Sequence, residues 1–226
     1  NIKKIYLTYE NIAWENSFIF GLKKFMPNIK IVGYQHTVVP QASVGMFASS
    51  LDNKVKPLPD LILTNGSVTK NIINQYSKYQ SGLLDSSCAL RFNSSYNNSN
   101  KRRKISNILV VLEGIPEVHK LVNYILNFSL NKNFNIIIRT HPVLPWKQIK
   151  NLLNISHTFH KIIISENNSL HHDFERSDIC IYWGSAVCLD AIKYGLPVVH
   201  FDEGNYLSYD PLFELTQFKW IINNII

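Results

Sequence analysis

Residues 177–200 read SDICIYWGSAVCLDAIKYGLPVVH: an apolar run, a Gly-Ser turn, an apolar stretch at helical spacing, a glycine and a second apolar run. The spacing predicts a strand over 179–182, a helix over 186–194 and a strand over 197–201. Gly195 ends the helix, and Pro197 prevents it from resuming. Two buried strands joined by one helix form a parallel βαβ unit, because parallel neighbours need a long crossover. The same alternation runs through the rest of the chain. Strands are expected at 4–9, 30–34, 61–64, 106–112, 135–139 and 161–165, and helices at 13–25, 68–76, 118–127 and 146–153. The fold class is therefore α/β with parallel sheets.

One stretch breaks the alternation. FNSSYNNSNKRRK, residues 92–104, is polar with no apolar face and reads as a linker over 93–104. It divides the chain into a first domain over 1–92, with about three strands, and a second over 105–226, with about five. No repeat of fixed period is visible.

Composition narrows the function classes. The chain has 226 residues, of which 46% are hydrophobic and 17% charged, so it is globular and long enough to bury a core without disulfides or a structural metal. The net charge is +7, from 23 Lys and Arg against 16 Asp and Glu. Part of that excess is the single run Lys101, Arg102, Arg103 and Lys104, which leaves the remaining surface mildly basic. A spread nucleic-acid surface is not expected; the run is a solvated loop or a contact for phosphates or an anionic membrane. Cys88, Cys180 and Cys188 are odd in number and lack CxxC spacing, which predicts reduced thiols in a cytoplasmic protein. The greasiest window, 105–115, is cut by Glu113, so a soluble or at most peripheral protein is expected. The chain opens on Asn1 and passes at once into a strand, so an upstream part is expected.

In open parallel sheets, ligands gather outside the carboxyl ends of the strands. In the first domain those ends carry Glu10, then Gln35 and His36, then Asn65 and Gly66. In the second they carry Glu113 and Gly114, Thr140 to Pro142, Glu166, Gly184 and Ser185, and Asp202 and Glu203. Both domains thus place polar groups on the same edge, which predicts a cleft between two such edges.

Several of these residues suit phosphate. The amino end of the helix after Gly184 offers N–H groups and a positive dipole, Gly184 permits close approach, and the Ser185 hydroxyl adds a donor. An ordinary serine cap accounts for the same pattern. In IIIRTHP, residues 136–142, an apolar strand delivers Arg139 and His141 to its carboxyl edge, and Pro142 fixes the exit of the chain. Arg139 can grip a phosphate in bidentate fashion or pair with a carboxylate, and His141 can donate to phosphate or ribose or lie free on the surface. Glu10, in the first strand-to-helix turn, is placed to act as a general base. Nearby Glu15 suits the helix dipole, and Trp14 suits a core or cleft wall. His36 is either an acid/base or orienting group or a simple loop histidine. Glu113 interrupts an apolar strand end, and its charge needs a partner or water.

His157, His160, His171 and His172 do not match a zinc spacing with the cysteines, so no metal is expected. A Walker loop, GxGxxG, GxSxG and DxD are all missing from the sequence, which disfavours P-loop NTPases, Rossmann dehydrogenases and ordinary serine hydrolases.

Taken in order, YENIAWE (9–15), GYQHT (33–37), PLPDLILTNG (57–66), CALRF (88–92), ILVVLEG (108–114), RTHP (139–142) and SDICIYWGSAVCLDAIKYGLPVV (177–199) resemble bacterial surface-carbohydrate glycosyltransferases of the GT-B type, which build capsule and lipopolysaccharide. The Glu113–Gly114 and His141–Pro142 pairs are similar to the acidic-Gly and His-Pro motifs of bacterial sialyltransferases and Kdo transferases, where the His-Pro segment holds the nucleotide of a CMP-sugar.

The resemblance implies a GT-B-like α/β fold of two Rossmann-like halves with parallel sheets, the N-terminal half incomplete. It implies a donor nucleotide against Arg139, His141, Pro142, Gly184 and Ser185. Glu10 or Glu113 would be the catalytic carboxylate, and His36 would stand on the acceptor side. The expected reaction is metal-independent, with a nucleotide sugar such as a CMP-sugar as substrate in place of any cofactor. The expected partners are that donor and a glycan or lipid-linked acceptor, met in the cytoplasm at the inner face of the membrane. A teichoic-acid-type glycerophosphotransferase shares the His-Pro segment and the serine turn, and a non-catalytic nucleotide-sugar or glycan-binding remnant is the remaining alternative.

Overall fold

The structure, a computed structural model, describes residues 2–90, 104–129, 133–153 and 162–223. The linker expected over 93–104 lies outside these residues except for Lys104, as do His157 and His160. The chain divides into two compact units, Asn1–Ser94 and Ser95–Ile226.

The first unit is a parallel sheet of four strands with helical crossovers. Its elements in order are β1 (Lys4–Thr8), α1 (Ala13–Phe25), β2 (Lys30–Gln35), a 3-10 turn (Val44–Met46), α2 (Asp52–Val55), β3 (Leu61–Thr64), α3 (Ser67–Tyr76) and β4 (Leu84–Ser86). The strands lie in chain order, β1-β2-β3-β4. Helix α1 forms because Glu15, Ile19 and Leu22 recur at helical spacing and enter the core. Ile19 and Leu22 pack with Ile31, Ile62 and Ile73. Gly33 lets the Tyr9 side chain cross the sheet, since a Cβ on Gly33 would stand 2.8 Å from that of Tyr9.

The second unit is a parallel sheet of six strands in the order β10-β9-β8-β5-β6-β7. Its elements are β5 (Asn107–Val111), a 3-10 turn (Pro116–Val118), α4 (His119–Ser129), β6 (Asn135–Arg139), α5 (Trp146–Lys150), β7 (Ile162–Ser165), α6 (Leu170–Glu175), β8 (Ile179–Tyr182), α7 (Val187–Tyr194), β9 (Val198–Asp202) and β10 (Lys219–Asn223). Both faces are covered, which is why its strands read as unbroken apolar runs. Ile108, Val110, Ile136, Ile138 and Ile181 pack on one face with Leu121, Val122 and Ile125 of α4. Leu109, Val111, Ile137 and Cys180 pack on the other with Phe174 of α6 and Cys188 and Ala191 of α7.

Several expectations need correction. The helix expected from residue 186 begins at Val187 with Ala186 as its cap, and the one expected over 118–127 runs His119–Ser129 after a 3-10 turn. The helix expected over 146–153 closes at Lys150. Strands β4 and β10 bring the totals to four and six, against about three and about five. Gly195 does end α7, in the left-handed conformation at φ 90°.

Candidate functional site

The strand order of the second unit reverses beside β5. From β5 the chain moves outward through β6 to β7, then returns to place β8 on the other side of β5 and continues to β9 and β10. The carboxyl ends of β5 and β8 therefore flank the topological switch point, where doubly wound sheets bind ligands. Val111 is in register with Tyr182. Two residues beyond each, Glu113 meets Gly184: the Gly184 N–H donates to Glu113 Oε1 at 2.5 Å.

That bond changes the expected picture of the helix amino end. The Gly184 N–H, offered by the sequence to a phosphate, is held by a carboxylate of the same chain. Glu113 Oε2 is buried without a hydrogen-bond partner. Burial pushes the Glu113 carboxyl from 4.5 up to about 7, against the opposing pull of the Gly184, Glu113 and Ser185 N–H groups. Space at Gly184 is tight, because a Cβ would stand 3.2 Å from both the Cβ and the carbonyl oxygen of Tyr209. Ser185 is buried, and its Oγ accepts the Val187 N–H at 3.4 Å, which leaves its O–H to donate.

His141 comes to the same edge from β6. Its ring lies on Gly114, where a Cβ would stand 2.8 Å from Nδ1. Nδ1 accepts the Val143 N–H at 3.2 Å, so the neutral ring carries its proton on Nε2. The Leu144 N–H closes this turn on the His141 carbonyl at 2.9 Å. Pro142 is exposed within it. The structure thus gathers Glu113, Gly114, His141, Gly184 and Ser185 at the carboxyl edge of one sheet.

Arg139 is turned elsewhere. Its Nη1 donates to Asp173 Oδ2 at 2.6 Å and to the Asn168 carbonyl at 3.0 Å. Asp173 is fully buried and also accepts from Ser165 Oγ at 2.7 and 2.8 Å. A buried carboxylate must be neutralised by a partner, and Arg139 is that partner. Of the two uses the sequence allowed for Arg139, this structure has the carboxylate pairing.

Trp183, bulky for a position next to a glycine turn, points into the core. Its ring meets Phe201 edge-on at 6.2 Å and Tyr209 at 6.1 Å.

In the first unit, Glu10 and His36 come together at the carboxyl edge, with Glu10 Oε1 3.9 Å from His36 Nε2 and each side chain about one-third exposed (34% and 31%). His36 Nδ1 is buried without a partner. Glu15 serves this corner from below: its Oε2 accepts the N–H groups of Glu10 at 2.9 Å and Ile12 at 3.1 Å. The turn is further tied by Asn11, at φ 59°, whose side chain donates to the Gly45 carbonyl at 2.6 Å.

A buried cluster behind the second site escaped the sequence reading. Asp210 Oδ1 accepts the Tyr182 hydroxyl at 2.7 Å and the Leu212 N–H at 2.8 Å, while Oδ2 accepts Lys219 Nζ at 2.5 Å. Lys219 also donates to the Leu212 carbonyl at 2.6 Å. His200 Nδ1 lies 4.0 Å from Asp210, and burial lowers the ring's pKa. These bonds pin the segment after β9, and with it Tyr209 against Gly184. Asp210 is 28 residues from Tyr182, and no local motif marks such a partner.

Among the described residues, no three His, Cys, Asp or Glu side chains come together as a metal ion would require, and no helix is long and apolar enough to cross a membrane.

No protein-family model matches the chain, and no curated protein matches it in sequence. Solved structures do match its fold. TarM superposes with a TM-score of 0.60 at 10% identity, covering 98% of this chain and 45% of its own. HepE of Anabaena, solved in complex with UDP, superposes at 0.56 with 13% identity, covering 98% and 65%. The glycosyltransferase SnogD from Streptomyces nogalater superposes at 0.50 with 15% identity, covering 86% and 55%. The fold is that of the GT-B glycosyltransferases. The chain spans 45% to 65% of the length of these three GT-B neighbours.

Proposed function

We propose that this chain belongs to a glycosyltransferase that moves a sugar from a nucleotide-sugar donor to a bacterial surface glycan without a metal ion. The observation that carries the reading is the convergence of Glu113, Gly114, His141, Gly184 and Ser185 at the switch point between β5 and β8. A fold neighbour that holds UDP supports a nucleotide as ligand.

On the donor side, the leaving phosphate meets His141 Nε2–H, the Ser185 hydroxyl and the amino end of α7. Fixed donors of this kind stabilise charge where it develops as the glycosidic bond breaks. On the acceptor side, His36 and Glu10 supply a base. The acceptor hydroxyl oxygen attacks the anomeric carbon, its proton passes to His36, and the electron pair of the broken carbon–oxygen bond leaves on the phosphate. Glu10 steadies the imidazolium that forms. Attack from the face opposite the leaving group inverts the anomeric centre.

A lipid-linked acceptor at the inner face of the cytoplasmic membrane fits this chemistry. Helix α1 supports it by exposing Trp14, Phe18 and Phe25 along one stripe, with Lys24 Nζ 5.4 Å from the Phe25 ring, a pattern suited to an anionic bilayer surface.

The test is a thermal-shift panel of CMP, UMP, UDP, GDP, CDP and CDP-glycerol against wild type and His141→Ala. A ligand at about 100 times its dissociation constant adds roughly 2.7 kcal/mol. A rise with one sugar-donor nucleotide, lost in His141→Ala, is expected. A rise with CDP-glycerol alone would redirect the reading to glycerophosphate transfer, and no rise with any would overturn it.

A further inference from the structure

Glu113 sits where the donor's phosphate is expected. Its Oε1 takes the Gly184 N–H in the turn that leads into α7, and its Oε2 is buried beside it with no partner. A carboxylate that takes a backbone N–H of this turn from within the same chain holds a donor that a phosphate ligand would otherwise take. Gly184 lies close to Tyr209, where an added Cβ would stand 3.2 Å from the tyrosine Cβ and carbonyl oxygen.

We propose that Glu113 is an internal competitor for the donor: its carboxylate occupies the phosphate place at the Gly184 turn before α7, and the phosphate enters only when that carboxylate takes up a proton or yields the Gly184 N–H. The inference rests on the donor site proposed above and adds to it a residue that sets when the site is open.

The surroundings of Glu113 favour the proton route. The groups around it are the His141 ring, which lies on the adjoining Gly114, the Cys188 thiol of α7, which its charge reaches, and Tyr209, which stands beside Gly184. The Cys188 thiol is held well above its usual value by burial and is neutral, so it offers Glu113 no countercharge. The Glu113 carboxyl titrates near 7, so a neutral acid is within reach at neutral pH. A protonated Glu113 removes the repulsion between two anions and can itself donate to a phosphate oxygen.

The experiment is calorimetric titration of UDP and of CMP at pH 6 and pH 8 into wild type, Glu113→Gln and His141→Ala, each in two buffers of different ionisation enthalpy. Using the same nucleotides in each protein cancels their own ionisation. In wild type, binding should weaken by roughly tenfold between pH 6 and pH 8 beyond any loss seen in Glu113→Gln, with proton uptake on binding at pH 8. Glu113→Gln keeps an oxygen for the Gly184 N–H, and it should lose that uptake and bind more tightly than wild type at pH 8. His141→Ala should bind more weakly yet retain the uptake, which assigns the uptake to Glu113. Equal pH dependence in wild type and Glu113→Gln, or weaker binding by Glu113→Gln at pH 8, overturns the inference and leaves the donor site standing. If neither protein binds either nucleotide at either pH, the donor site falls and the inference falls with it.

Discussion

Gly114 lies against the imidazole of His141 so closely that a Cβ on Gly114 would stand 2.8 Å from Nδ1 and 3.3 Å from Cε1. The glycine that follows Glu113 therefore sets the height of the histidine ring, and with it the direction of Nε2–H. Gly114→Ala should push the ring aside and break the Val143 N–H bond to Nδ1. Overpacking of this kind costs about 1 to 3 kcal/mol. Nucleotide affinity should fall at least as far as in His141→Ala, and unchanged affinity would show that His141 does not touch the donor.

Arg139 separates a structural role from a binding role. Removing it leaves Asp173 buried and uncompensated, for which about 3 to 5 kcal/mol of destabilisation is expected. Arg139→Ala should lower the denaturant midpoint sharply, while the fraction that remains folded binds nucleotide with wild-type affinity. Normal stability with lost affinity would return Arg139 to the phosphate.

Glu113 makes stability depend on pH in a defined direction. Its folded value, about 7, lies above the ordinary 4.5, so between these values the native state holds a proton that the unfolded chain has released. The native state therefore binds more protons, and stability falls as pH rises through this window. The shift is equivalent to about 3 kcal/mol. Denaturant titrations should show Glu113→Gln gaining on wild type by up to that amount between pH 4 and pH 8. A constant difference between the two proteins would mean that folding leaves the Glu113 carboxyl at its ordinary value.

The apolar runs made most of the fold legible. Residues 108–111 and 179–182 are buried on both faces of the sheet, and such strands announce themselves without partners. β4 did not, because Leu-Asp-Ser carries one apolar residue and forms only by pairing with β3. α6 was hidden for a related reason: LHHDFE has little amphipathic length, and its buried Asp173 is accounted for only by Arg139, 34 residues away. At the site, the sequence placed Glu113, His141 and Gly184 on one edge because strand ends converge there. That Glu113 would take the Gly184 N–H depends on strand order, since β5 and β8 are neighbours only when the sheet reverses at β5. Local patterns do not encode that order.

Asp210 tests whether the segment after β9 matters to the site. Asp210→Asn removes the charge that holds Lys219 while keeping an acceptor for the Tyr182 hydroxyl. Leaving Lys219 buried without its counter-ion should destabilise by about 3 to 5 kcal/mol, and Tyr182→Phe by about 1 kcal/mol. Hydrogen exchange should rise over residues 203–218 in the asparagine variant before it rises in β5 or β8. Uniform exchange across the unit would show that this segment unfolds only with the whole.

The Glu10–His36 pair makes a prediction about rate that stability cannot imitate. If His36 takes the acceptor proton and Glu10 acts through it, His36→Ala should lower turnover by about 100-fold to 10,000-fold at saturating donor, the usual worth of a positioned base. Glu10→Gln should lower it less, because the amide still orients the ring but does not stabilise its positive form. The double variant should be no slower than His36→Ala alone, since Glu10 has nothing to act on once the imidazole is gone. Donor affinity should be unchanged in all three, because both residues belong to the first unit and the phosphate contacts to the second. Multiplicative losses in the double variant would show that Glu10 reaches the acceptor on its own, and the carboxylate rather than the imidazole would then be the base.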